Sequence, residues 1–100
     1  MNPAPDIRQP ELAALCERFR VRRLDLFGSA ARGEEHEDSD LDFLVEFESM
    51  GNEYFDAYFG LLEGLQVLFH KPVDLVVEKA IRNPYFRQSV EESRVLVYAA

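Results

Sequence analysis

Gly28-Ser29 is followed, after ten residues, by Asp40-Leu41-Asp42, within the stretch LDLFGSAARGEEHEDSDLDFLVEF from Leu24 to Phe47. These residue types at this spacing suit chemistry on phosphates. A glycine at a strand end lets the backbone approach a phosphate closely. A serine at the start of a short helix adds a hydroxyl beside N–H groups that favour anions. In a strand, residues two apart share a face, so Asp40 and Asp42 point one way while Leu41 and Phe43 point the other. Two carboxylates so placed repel unless something positive sits between them. Oxygen-only ligands argue for a hard cation such as magnesium. Together these features suggest metal-assisted nucleotidyl transfer.

Other elements must position these groups. Leu12, Leu15, Cys16 and Phe19 recur at helical spacing and predict a helix over Pro10 to Arg20. Val21 to Phe27 reads as a strand with imperfect alternation, and residues 29–33 make at most a turn or two of helix. A polar loop over 34–39 leads into a strand over Leu41–Phe47, and Met50-Gly51-Asn52 breaks the chain. Tyr54, Tyr58, Leu61, Leu62, Leu65 and Leu68 form one stripe of a long helix, Glu53 to Phe69. Gly60 and Gly64 interrupt it, each costing about 1 kcal/mol of helix propensity relative to alanine, which points to close packing within the domain. Val73–Val77 is a short β-branched strand. Asn83-Pro84 is a helix cap followed by proline at the first helical position, opening a helix to about Ser93. Arg94 to Tyr98 then closes as an edge strand or extends that helix; a strand is favoured. The expected architecture is a small α/β (α+β) domain, a mixed sheet with helices packed on one face.

One hundred residues make a single domain over 1–100, with 1–9 as a flexible leader. At 47% apolar residues the chain can build a packed core. A net charge of −8 argues against a body that wraps nucleic acid. Arginines at 18, 20, 22 and 23 are read as a helix end paired with the many acids. The lone Cys16 is read as buried and structural. No segment looks like a signal peptide or reaches membrane-spanning length, so a cytoplasmic location and no membrane partner are expected.

The string Gly28-Ser29-Ala30-Ala31-Arg32-Gly33-Glu34 with Ser39-Asp40-Leu41-Asp42-Phe43 resembles the signature of the DNA polymerase beta-like nucleotidyltransferase superfamily, and within it the minimal nucleotidyltransferase (MNT) branch. The resemblance runs from about Leu24 to Val77. It implies a polymerase beta-like palm and a family of transferases that use ATP and two magnesium ions. Such ions, about 3.5–4 Å apart, clamp the attacking and leaving oxygens of an in-line displacement. It also implies that Asp40 and Asp42 are metal ligands, with Asp74 as the third carboxylate, binding metal and helping to deprotonate the incoming hydroxyl. Gly28 and Ser29 are implied to hold the triphosphate. Arg32 either reaches the terminal phosphates or pairs with a nearby acid. His36 is read as an exposed loop residue and set aside. Of the aromatic residues Tyr54, Phe55, Tyr58 and Phe59, most are expected in the core, with an outer ring free to stack on a base or meet a partner.

The MNT branch resembles antitoxins found with HEPN-domain ribonuclease toxins. The resemblance implies transfer of AMP from ATP to a tyrosine hydroxyl of the toxin. A different class of function, neutralisation of the toxin by contact alone, is also open. A third is a transferase for a small molecule or a nucleic-acid end, against which size and acidity count. Homodimer and heterocomplex both remain compatible with the chain.

Overall fold

A computed structural model describes residues 10–34 and 40–100. The expected leader and most of the 34–39 loop, His36 included, lie outside the described residues. The elements are α1 (Pro10–Arg18), β1 (Val21–Phe27), α2 (Gly28–Ala31), β2 (Leu41–Phe47), α3 (Tyr54–Phe69), β3 (Val73–Val77), a 3-10 turn (Glu78–Ala80), α4 (Pro84–Ser93) and β4 (Val95–Ala99). Helix α1 stops two residues before the expected end. Arg20 takes a left-handed conformation with φ 59°, and that turn feeds the chain directly into β1.

The four strands form one mixed sheet in the order β3-β2-β1-β4. β1 runs antiparallel to both β2 and β4, whereas β2 and β3 are parallel. A parallel pair needs a crossover, and α3 supplies it. The imperfect alternation of β1 has a physical cause: the register with β2 shifts between Val21 and Arg23. An extra residue there restores the correct faces from Leu24 onward.

One face of the sheet carries the main core. Leu24 and Leu26 of β1, Leu41, Phe43 and Val45 of β2, and Leu75 of β3 pack there against Leu12 and Cys16 of α1 and Leu61 and Leu65 of α3. Each fully buried leucine of this set contributes about 1.5–3 kcal/mol relative to an exposed one. Gly60 and Gly64 let α3 approach α1 closely. A Cβ at Gly60 would overlap the ring of Phe19, and one at Gly64 the side chain of Leu15. The expected close packing is therefore within the domain, helix against helix.

Helices α1 and α3 thus share one face, as expected, but α4 crosses to the other. Its Val90 packs with Phe27 and Leu44, which alternate away from the main core. The sequence pattern could not reveal this, because α4 carries its own amphipathic stripe whichever face it covers. Asn83 caps α4 by accepting from the N–H groups of Tyr85 (2.8 Å) and Phe86 (3.3 Å), worth about 1 kcal/mol. β4 is an edge strand, which resolves the ambiguity over residues 94–98.

Candidate active site

The second face of the sheet holds the carboxylates. Phe27, Asp42 and Asp74 lie side by side on β1, β2 and β3: Phe27 is the register partner of Asp42, and Asp42 that of Asp74. Partners in register share a face, so the two acids stand on neighbouring strands with nothing between them but the ladder spacing. Asp40 sits just ahead of β2 and is exposed, held in place where the Leu41 N–H donates to the Pro72 carbonyl at 3.0 Å. Burial pushes the Asp42 carboxyl above its usual range, and the charges of Asp74 and then Asp40 push it in the same direction. The structure therefore pairs Asp42 with Asp74 in register and leaves Asp40, just ahead of β2, near enough for its charge to act on Asp42.

Gly28 follows Phe27 directly. Its φ of +75° is left-handed, and a Cβ built there would lie 2.5 Å from Asp42 Oδ2. Glycine is required twice over: for the backbone angle and for room beside the carboxylate. Ser29 is the second residue of α2 rather than its cap, which is Phe27 with no side-chain bond. The Gly28 N–H instead donates to the Ser93 hydroxyl of α4 at 3.0 Å. No feature of the glycine-serine motif signals Ser93, which reaches the turn only because α4 packs on this face. The half-exposed Ser29 follows Gly28 at the surface. Arg32 is exposed at the C-terminal cap of α2.

Beneath this surface lies an ion-pair cluster that pattern reading passed over. Asp25 is fully buried on the same face, in register with Leu44. It accepts from Arg23 Nε at 3.0 Å and from Arg94 Nε at 2.5 Å. Arg94 also binds Glu78 through Nη2 at 3.0 Å, and this contact holds the Glu78 carboxyl below its usual range. An acid in the middle of an apolar strand was the available signal, since a buried charge must be paired. The cluster ties α4 and the 3-10 turn to β1.

Tyr58 of α3 donates its hydroxyl to the Leu75 carbonyl at 2.6 Å, next to Asp74 on edge strand β3. Tyr54 packs edge-on against Phe47 at 5.5 Å, so these two rings belong to the fold. Phe55 and Phe59 are the exposed rings, at 71% and 59%. They line a shallow apolar groove of about 340 Å³ with Leu75 and Val77. A groove of about 570 Å³ runs between α1 and α3. Both open beside α3, and neither is lined by Asp42 or Asp74.

A hard divalent cation fits the donor set. Each influence on Asp42 disfavours its charge, and a cation among the three carboxylates reverses that. Among the described residues, no three His, Cys, Asp or Glu side chains stand grouped closely enough to hold a metal ion by themselves. An open two-strand platform of oxygens suits a metal that completes its shell with water and phosphate, as magnesium does.

Comparison with known proteins agrees with this geometry. A family model described as a nucleotidyltransferase domain matches residues 12–97. A Methanocaldococcus jannaschii protein, provisionally named a protein adenylyltransferase, is 41% identical over 97 residues, covering 97% of each chain. A solved structure described provisionally as a minimal nucleotidyltransferase is 38% identical, with a TM-score of 0.69 over 82% of this chain and 81% of its own. A toxin-antitoxin crystal structure with AMP-PNP also superposes with a TM-score of 0.69, covering 90% of this chain and 72% of its own. Its 22% identity makes that likeness one of fold.

Proposed function

This chain belongs to the nucleotidyltransferase domain family, and from that premise we propose that it transfers AMP from ATP to a tyrosine hydroxyl of a HEPN-domain toxin, as the antitoxin of the pair. The observation that carries the transferase chemistry is the register pairing of Asp42 with Asp74 beside a glycine that has no room for a side chain. The protein substrate follows from the relative provisionally named a protein adenylyltransferase, which this chain matches nearly end to end. The toxin partner is the reading implied by the MNT-like motif, and the fold shared with a toxin-antitoxin structure is consistent with it.

In this reading the triphosphate lies along the Gly28–Ser29 turn, where the Ser29 hydroxyl and the backbone N–H groups of α2 bind phosphate oxygens. Arg32 reaches over the terminal phosphates from the end of α2. Asp40, Asp42 and Asp74 are the residues that would hold magnesium, which would supply positive charge to neutralise the phosphate oxygens. Asp74 accepts the proton of the attacking hydroxyl. The hydroxyl oxygen bonds to the α-phosphorus, the bond from that phosphorus to the bridging oxygen breaks, and pyrophosphate leaves. The exposed β3 edge leaves Asp74 open to an acceptor presented by another protein.

The test is to incubate the chain with its genomic neighbour, MgCl₂ and ATP, and weigh both proteins by intact mass spectrometry. AMP increments on the neighbour that vanish with Asp42→Ala are expected. A stable complex without increments would replace catalysis by neutralisation through contact. Absence of both would exclude that neighbour as the acceptor.

A further inference from the structure

We infer that Ser93 is a positioning residue for the nucleotide-binding turn: its hydroxyl sets the orientation of the Gly28 peptide and, through it, of the groups that follow. The inference rests on the reading of that turn as the triphosphate cradle. Ser93 lies 65 positions away in the chain, is buried, and accepts the Gly28 N–H at 3.0 Å. Its own proton is committed to the Ser89 carbonyl at 3.2 Å, so a lone pair is left facing Gly28.

The hold is rigid on both sides. The next residue, Arg94, is locked onto the buried Asp25, three positions before Gly28 on β1. The end of α4 therefore grips β1 at two points that flank its last turn of strand. Gly28 itself stands against Asp42, with space for no side chain. Rotation of the Gly28 peptide would move the turn relative to Asp42 and redirect the N–H groups that follow. A left-handed glycine is free to rotate in this way unless something holds it, and the Ser93 hydroxyl is the group that does so.

A simple structural role would lower stability without touching nucleotide affinity, and this difference is the basis of the test. The full chain is prepared as wild type, Ser93→Ala, Ser93→Cys and Ser93→Thr. Binding of Mg·AMP-PNP is followed by calorimetry, and exchange of the Gly28 amide by NMR. Ser93→Ala is expected to weaken nucleotide binding roughly tenfold and to speed Gly28 exchange by a similar factor, as loss of one hydrogen bond from a buried donor implies. Ser93→Cys fills the same volume with a poorer acceptor and should fall between. Ser93→Thr keeps the hydroxyl and should restore both readouts. In turnover with ATP, the change should appear in KM, with kcat at saturation nearly unchanged.

Unchanged affinity and exchange in folded Ser93→Ala or Ser93→Cys would overturn the inference. So would a Thr variant as weak as the Ala one, because packing rather than the hydroxyl would then be responsible. A wild-type chain that binds no Mg·AMP-PNP would overturn the nucleotide reading itself and this inference with it. That result is distinguishable, because the failure appears before any substitution is made.

Discussion

Asp42 and Asp74 are register partners across the parallel pair β2–β3, and the charge of Asp74 adds to burial in holding Asp42 above its ordinary ionisation range. The cross-strand repulsion means that the site weakens the fold that carries it, the usual compromise where function needs like charges together. Asp42→Asn removes the repulsion while keeping size and shape. The metal-free variant should melt at the wild-type temperature or a few degrees above it. Its transferase activity should fall by about three orders of magnitude, the scale of losing a principal electrostatic group. Magnesium should raise the melting temperature of the wild type more than that of the variant; equal shifts would place the ion elsewhere.

Gly28→Ala meets two obstacles at once. The residue would hold φ +75°, a conformation that costs a side-chain-bearing residue roughly 1–2 kcal/mol. Its methyl group would also press on Asp42 Oδ2. Urea denaturation should show a loss of about 2 kcal/mol. Activity should drop by about a hundredfold or more, as expected when a turn is displaced relative to the reacting centre. A variant with normal nucleotide affinity would show that the turn does not hold the triphosphate.

Arg94 is the cation that reaches the buried Asp25 together with Glu78. Arg94→Met leaves Asp25, among the described residues, with the half-exposed Arg23 as its cation, and should cost about 3 kcal/mol. Adding Asp25→Asn removes the stranded charge, so the double variant should recover much of that loss. A double-mutant cycle by chemical denaturation measures the coupling; strict additivity would contradict the pairing.

The same cluster sets an acid response. Hydrogen bonding by Arg94 holds the Glu78 carboxyl below its ordinary value of 4.5. A depressed carboxyl binds fewer protons in the folded state than in the unfolded one. Its contribution is therefore fully present above the unfolded value and lost as pH falls through the folded value. Stability measured on the way down from neutral pH should decline less steeply below pH 4.5 in Glu78→Gln than in the wild type.

Cys16 is fully buried, and burial pushes its thiol up to about 12. At mildly alkaline pH it stays protonated and shielded, so a thiol reagent should label the folded chain only as fast as it unfolds. Labelling should accelerate with denaturant in step with global unfolding. Immediate reaction in native buffer would mean that α1 opens independently of the sheet.

Much of the architecture was legible locally. The limits of β1, β2, β3 and α4 follow from alternation, from the β-branched run at Val73–Val77, and from the Asn83-Pro84 cap. The outward face of Asp42 on β2 was legible in the same way, because the two-residue period of a strand is a property of the backbone at that place; Asp40 precedes the strand, so that period does not reach it. The glycine requirement at residue 28 was legible too, as a strand end that must approach something closely.

Three relationships depended on the tertiary structure. Asp74 could be assigned to one face of its own strand, but only the parallel pairing through the α3 crossover aligned it with Asp42 rather than with a neighbour. The stripe on α4 indicated that it packs, not that it packs on the carboxylate side, where Ser93 meets Gly28. Asp25 passed unread as a buried charge, and nothing local points to Arg94, which lies 69 positions away. Periodicity is set by each residue's immediate neighbours along the chain. Register and face are set by how distant segments bury their apolar surfaces together, and that competition is resolved only when the whole core forms.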